Sequence, residues 1–180
     1  MRILKYFLPL FMMLMSTFVP CHAEEAVSKE NKIKSAIILN FIRYTEWPEN
    51  SFRSDSDEIN VCIYTNSEME KSFSKSNGKK INDRKINIRS LYRLKNLGEC
   101  HVLYADNLDR DQASRTFSAV SKKPVLTISD QESQASNTGI INLVNNKGKL
   151  RFEISREKST SSNLKLSSRL IKLSVNNKSQ

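Results

Sequence analysis

Apolar residues first recur at helical spacing near Ser28. Ile33, Ile37, Phe41 and Tyr44 stand four, four and three apart and so share one face of a helix. Ser28 is placed to cap its start, and Ala36 and Ile38 widen the stripe. Pro48 pushes Trp47 out of the α region, which predicts an end near Tyr44 or Thr45. Residues 51–58 are polar, acidic and without period, hence a loop. From Ile59 onward short apolar runs alternate with polar stretches. Residues 59–64 read as a strand, 67–76 as a helix with Met69 and Phe73 inward, and Asn77-Gly78 as a turn. Residues 85–90 set Ile86 and Ile88 against Lys85, Asn87 and Arg89, a strand with one wet face. Residues 91–97 read as a short helix closed by Gly98.

Residues 101–105 and 124–129 have the continuous apolar character of buried strands, with a helix over about 108–120 between them. Residues 139–144 and 150–154 flank the turn set Asn145, Asn146, Lys147 and Gly148, a hairpin signal, and Ser155 is placed to cap a short helix after it. Leu166, Leu170 and Leu173 then predict a last amphipathic helix before the polar tail 176–180. Strands separated by helices require right-handed crossovers. The expected fold is therefore α/β in three layers, with a mainly parallel central sheet, helices on both faces and a C-terminal antiparallel hairpin.

The N-terminus changes the picture. Arg2 and Lys5 precede a mostly apolar run, residues 6–20, that Pro9 and Pro20 interrupt and that Cys21, His22, Ala23 and the acidic pair Glu24 and Glu25 follow. That run is shorter than the roughly 20 residues a bilayer span needs, so residues 1–23 read as a signal peptide cleaved after Ala23. Lipidation of Cys21 is disfavoured by Pro20 before it. Residues 24–180 are long enough for one core and short for two, which gives a single-domain expectation. The net charge of +10 loses two with Arg2 and Lys5. The remaining Lys and Arg are scattered among Ser and Asn, and the one dense group, Lys79, Lys80, Arg84 and Lys85, has no aromatic neighbour, so no nucleic-acid partner is expected.

Of the 3 cysteines only Cys62 and Cys100 lie beyond the export segment, and an even pair in an oxidising compartment favours a disulfide. Of the 2 histidines His22 leaves with the signal, so a histidine metal cluster is excluded. Cys100 and His101 are neighbours on a strand and point to opposite faces, which prevents a nucleophile–base pair. The 4 glycines form neither a phosphate loop nor a nucleophile elbow. No cofactor and no enzymatic activity are expected. Asp130 ends a strand, where it either caps the following turn or faces the ligand crevice of an open α/β sheet.

Six short motifs in one order resemble the YfiR-like family of periplasmic proteins. They begin with the run Asn40, Phe41, Ile42, Arg43, Tyr44, Thr45, Glu46, Trp47 and Pro48, then Cys62 and the segment Cys100, His101, Val102 and Leu103. Val125 to Asp130, Gly139 to Leu143, Arg151 to Ile154 and Leu166 to Leu170 follow. The departures are Thr138 where a double glycine usually begins, Ser155 where Asn is frequent, and no cysteines for the second disulfide of some relatives. The resemblance covers nearly all of residues 30–175. It implies a periplasmic regulator that binds the periplasmic domain of an inner-membrane diguanylate cyclase and lowers cyclic-di-GMP and biofilm, and it implies a homodimer. Glu46 and Trp47 are candidates for the partner surface, although a Trp after a buried helix also serves as core. A small-ligand receptor centred on Asp130 is the alternative from another class.

Overall fold

The structure, a computed structural model, describes residues 28–54, 57–64, 67–130 and 138–176. The expected signal peptide lies outside these residues. Helix α1, Lys29–Arg43, starts at Ser28, whose Oγ accepts the Asn31 N–H at 3.1 Å. Its inner face differs from the expected one. Lys34, Ser35, Ile38, Phe41 and Ile42 are buried, whereas Ile33 is 45% exposed. The stripe is displaced because Lys34 finds a buried anionic partner, which lets a cation occupy the inner face.

Strand β1, Thr45–Glu46, follows, and then β2 (Ile59–Tyr64), α2 (Ser67–Phe73), β3 (Lys80–Ile81), β4 (Arg84–Leu91) and β5 (Val102–Ala105). Helix α3 (Arg110–Ser118) leads to β6 (Leu126–Asp130), β7 (Ile141–Asn146), β8 (Lys149–Ile154), α4 (Arg156–Ser161), β9 (Lys165–Leu166) and α5 (Ser168–Leu173). The main sheet is 7-stranded in the order β3-β4-β2-β5-β6-β7-β8, parallel from β4 to β7 and antiparallel at both edges. Strand alternation sends Val61, Ile63, Val102, Tyr104, Leu126 and Ile128 to the face covered by α1, α2 and α5, and Cys62, Leu103 and Ala105 to the face covered by α3. Each fully buried aliphatic or aromatic side chain is worth about 1.5–3 kcal/mol. The expected three layers are thus observed.

Four local features depart from the sequence reading. Residues 91–97 form no helix, because Leu91 extends β4 opposite Tyr64 and Asn96 takes a left-handed conformation before a single 3-10 turn at Leu97–Glu99. Leu166 belongs to β9, which pairs with β1, and α5 begins only after Ser167, leaving Leu173 62% exposed. A second hairpin, β3–β4, turns through Asn82 and Asp83, both at positive φ. The C-terminal hairpin turns more tightly than expected, through Lys147 and Gly148 alone, both also at positive φ. Gly139 is required by crowding, since a Cβ there would lie 2.8 Å from the Ile141 carbonyl oxygen and 3.0 Å from the Ser129 nitrogen. At the β8 edge the Asn176 amide accepts the Ile154 N–H at 3.2 Å and donates to its C=O at 2.8 Å.

Cys62 and Cys100 are joined, with Cα atoms 5.8 Å apart, and both lie in the cluster under α3. The bridge ties β2 to the segment entering β5, across a sequence separation of 38. Replacing both by serine is expected to lower unfolding free energy by up to about 4 kcal/mol, the loop-entropy value for this length, with the circular dichroism of the folded state retained. Urea denaturation measures the loss, and non-reducing peptide mapping of the parent protein is expected to show the single Cys62–Cys100 link.

Candidate functional site

Two centres hold the sequence-selected residues, and they lie at opposite ends of the parallel strands. The first is at the amino ends of β2 and β5. Thr45 ends α1 by donating its hydroxyl to the Phe41 carbonyl at 2.8 Å, and β1 then pairs with β9 so that Glu46 is exposed and Trp47 half-buried. The Trp47 Nε1–H donates to the His101 carbonyl at 3.3 Å. A 3-10 turn, Glu49–Ser51, delivers Phe52 onto the His101 imidazole, with ring centroids 4.5 Å apart and planes 12° from parallel. The Arg84 guanidinium lies 3.8 Å from the Phe52 centroid and donates to the Ser54 and Asp57 carbonyls at 2.8 and 3.1 Å.

Both nitrogens of His101 are engaged. Nδ1 accepts the Asn60 N–H at 3.0 Å, which places the ring hydrogen on Nε2, 3.1 Å from the Ser51 carbonyl oxygen it donates to. Burial, aided by Arg84, holds the imidazole below its ordinary pKa of 6.5, against the opposing effects of the Ser51 carbonyl and Asp57. The Asp57 carboxylate accepts the Ser54 hydroxyl and the Arg53 and Ser54 N–H groups, and these bonds hold it below the usual carboxylate range. The stack of Phe52 on His101 stands between two clefts. One, of about 640 Å³, is lined by Arg53, Asp57, Glu58, Asn60, Glu99 and His101. The other, of about 510 Å³, is lined by Glu46, Trp47, Phe52, Asn82 and Arg84.

The second centre is at the carboxyl ends of β5 and β6. Asp130 and Lys34 are 3% and 4% exposed and form an ion pair at 2.7 Å, and Lys34 also reaches Glu30, one turn earlier, at 2.6 Å. The Tyr104 hydroxyl lies 3.0 Å from Asp106 Oδ2 and 3.3 Å from Asp130 Oδ2. Burial, then the two carboxylates, push the Tyr104 phenol upward, so it stays protonated and donates. This centre anchors α1 to the sheet.

Glu46 and Trp47 are therefore together, Asp130 is apart from them, and the Cys62–Cys100 bridge lies on the other face of the sheet. Sequence reasoning missed Phe52, Arg84 and Lys34, and took His101 for a plain strand-end residue. Lys34 had a signal, because it stands four before Ile38 and seven before Phe41. Phe52 and Arg84 had none, being joined only by tertiary folding. Lys34→Met is expected to cost about 3–5 kcal/mol by removing the counter-charge of the buried Asp130, and Lys34→Met with Asp130→Asn is expected to cost less than the sum of the single changes. Urea unfolding of the three variants measures this coupling.

Among the described residues no helix is long and apolar enough to cross a membrane, and no group of three His, Cys, Asp or Glu is placed to hold a metal. A search of curated proteins finds no match to the chain. The family model described as YfiR/HmsC-like matches residues 31–175, the stretch that contains both centres and the disulfide. The chain belongs to the YfiR/HmsC-like family, which is periplasmic and regulatory rather than catalytic.

Proposed function

We propose that this protein is a periplasmic repressor that binds the periplasmic domain of an inner-membrane diguanylate cyclase and so restrains cyclic-di-GMP synthesis and biofilm formation. The family match over residues 31–175 is the observation that carries this reading. Glu46 and Trp47, exposed and half-buried beside an open cleft, form the partner surface in this proposal. The protein acts as one domain, residues 24–180, released by cleavage after Ala23, and it works by contact alone. Moving a partner from 99:1 to 1:99 between two states takes about 5.5 kcal/mol of differential affinity. An interface of standard size supplies that, whereas an exposed salt bridge does not.

Deleting the gene is expected to raise cyclic-di-GMP and biofilm, and the rise is expected to vanish when the partner cyclase is deleted too. Glu46→Lys, at an exposed position, is expected to reproduce the deletion while the protein accumulates normally. An unchanged cyclic-di-GMP level in the single deletion would point instead to a small-ligand receptor. Intact-mass measurement of the exported protein is expected to give a chain that starts at Glu24 without lipid, and a mass that retains residues 1–23 would contradict the proposed cleavage.

A further inference from the structure

The hydrogen bonds of His101 work in one protonation state only. Its Nδ1 accepts the N–H of Asn60, a backbone donor fixed within β2, at 3.0 Å. An imidazolium carries hydrogen on both nitrogens, so uptake of a proton sets two donors against each other and leaves the Asn60 N–H without its acceptor. The ring cannot turn in place, because Phe52 is stacked on it and Nε2–H is held on the Ser51 carbonyl. We propose that protonation of His101 breaks its bond to Asn60 and loosens the ring from β2, together with the segment that Ser51 and Phe52 hold on it, making this edge of the sheet a pH-operated latch. The link from latch to regulation rests on the reading that Glu46 and Trp47 form the partner surface. The latch itself does not.

Burial sets the direction, disfavouring the cation. The Ser51 carbonyl favours it, Arg84, from β4, opposes it, and Asp57, from the loop, favours it. Arg53 and Glu58 of the same loop and Glu99 before β5 line the adjoining cleft and are exposed, and Glu99 is paired with Arg89 at 2.6 Å. The Asp57 carboxyl is held below the usual carboxylate range. His101 is the sole imidazole after residue 23, and imidazole is the side chain whose ordinary pKa of 6.5 lies nearest neutrality. With the folded pKa held below 6.5, the unfolded or released state binds the proton more tightly. The latched state is therefore fully favoured above about pH 6.5 and loses its advantage as pH falls from there to the folded pKa.

The molecule carries its own reporter, because Trp47 is the single tryptophan and donates to the His101 carbonyl. Titrating the purified, disulfide-bonded exported protein from pH 8 to pH 5 is expected to shift Trp47 emission to longer wavelength in a one-proton step centred below about pH 6.5, with far-ultraviolet circular dichroism unchanged. His101→Gln, which keeps one acceptor and one donor, is expected to abolish the step. Should that variant not fold, the protection of the Asn60 amide against hydrogen exchange, relative to the intrinsic rate at each pH, is expected to fall through the same step. A flat Trp47 emission, a step that survives in His101→Gln, or Asn60 protection that stays constant through the titration each overturns the latch. A working latch together with cyclase-domain affinity that is equal at pH 7.5 and pH 5.5 leaves the latch standing and removes Glu46 and Trp47 from the partner surface.

Discussion

The buried pair of Lys34 with Asp130 sets the position of the helix on which the rest of the molecule is hung. A lysine removed from water is tolerated only where its ammonium meets an anion, so α1 has one acceptable rotation about its axis. That rotation turns Ile38, Phe41 and Ile42 into the core and leaves Ile33 outside. The 15 residues of α1 span about 22 Å. One end meets the carboxyl edge of the sheet at Asp130, and the other hands the chain to Trp47 at the amino edge. The two candidate centres are apart in space but share one rigid strut.

Consecutive residues before β5 illustrate how little chain is needed to fix two surfaces. Cys100 closes onto Cys62 in the cluster beneath α3, whereas His101 turns to Phe52 and the loop. Opposite side-chain directions on an extended backbone account for this division. The bridge holds β2 against the start of β5, the two elements whose backbone groups at Asn60 and His101 the loop cluster uses. A covalent tie on one face thus steadies a set of weak contacts on the other.

Much of this was legible in the sequence because it depends on local period. The alternation of residues 85–90, the buried runs at β5 and β6, and the Ser28 and Ser155 caps follow from neighbours along the chain, and the motif order from Asn40 to Leu170 carried the family. What failed needed a partner from far away. The phase of α1 is not set by local spacing because the counter-charge to Lys34 lies 96 positions on, at Asp130. Leu166 has helical spacing to Leu170 and Leu173, and its strand exists only through Thr45. Leu91 carries helix-forming character, but parallel pairing with Tyr64 overrides it. The cluster of Phe52, Arg84 and His101 draws on three separate elements, and no spacing along the chain announces it.

The amide of Asn176 has a consequence for how the molecule behaves in a crowd. Strand β8 is the last of its sheet, and unpaired backbone groups along such a strand are a template on which another chain can be laid. A side-chain amide has the same donor and acceptor as a peptide unit, and here it occupies the Ile154 position as a dummy strand one residue long. One position of the edge is thereby closed by a residue that belongs to no strand. Loss of Asn176 would uncover the Ile154 N–H and C=O and lengthen the stretch of β8 on which another strand can be laid.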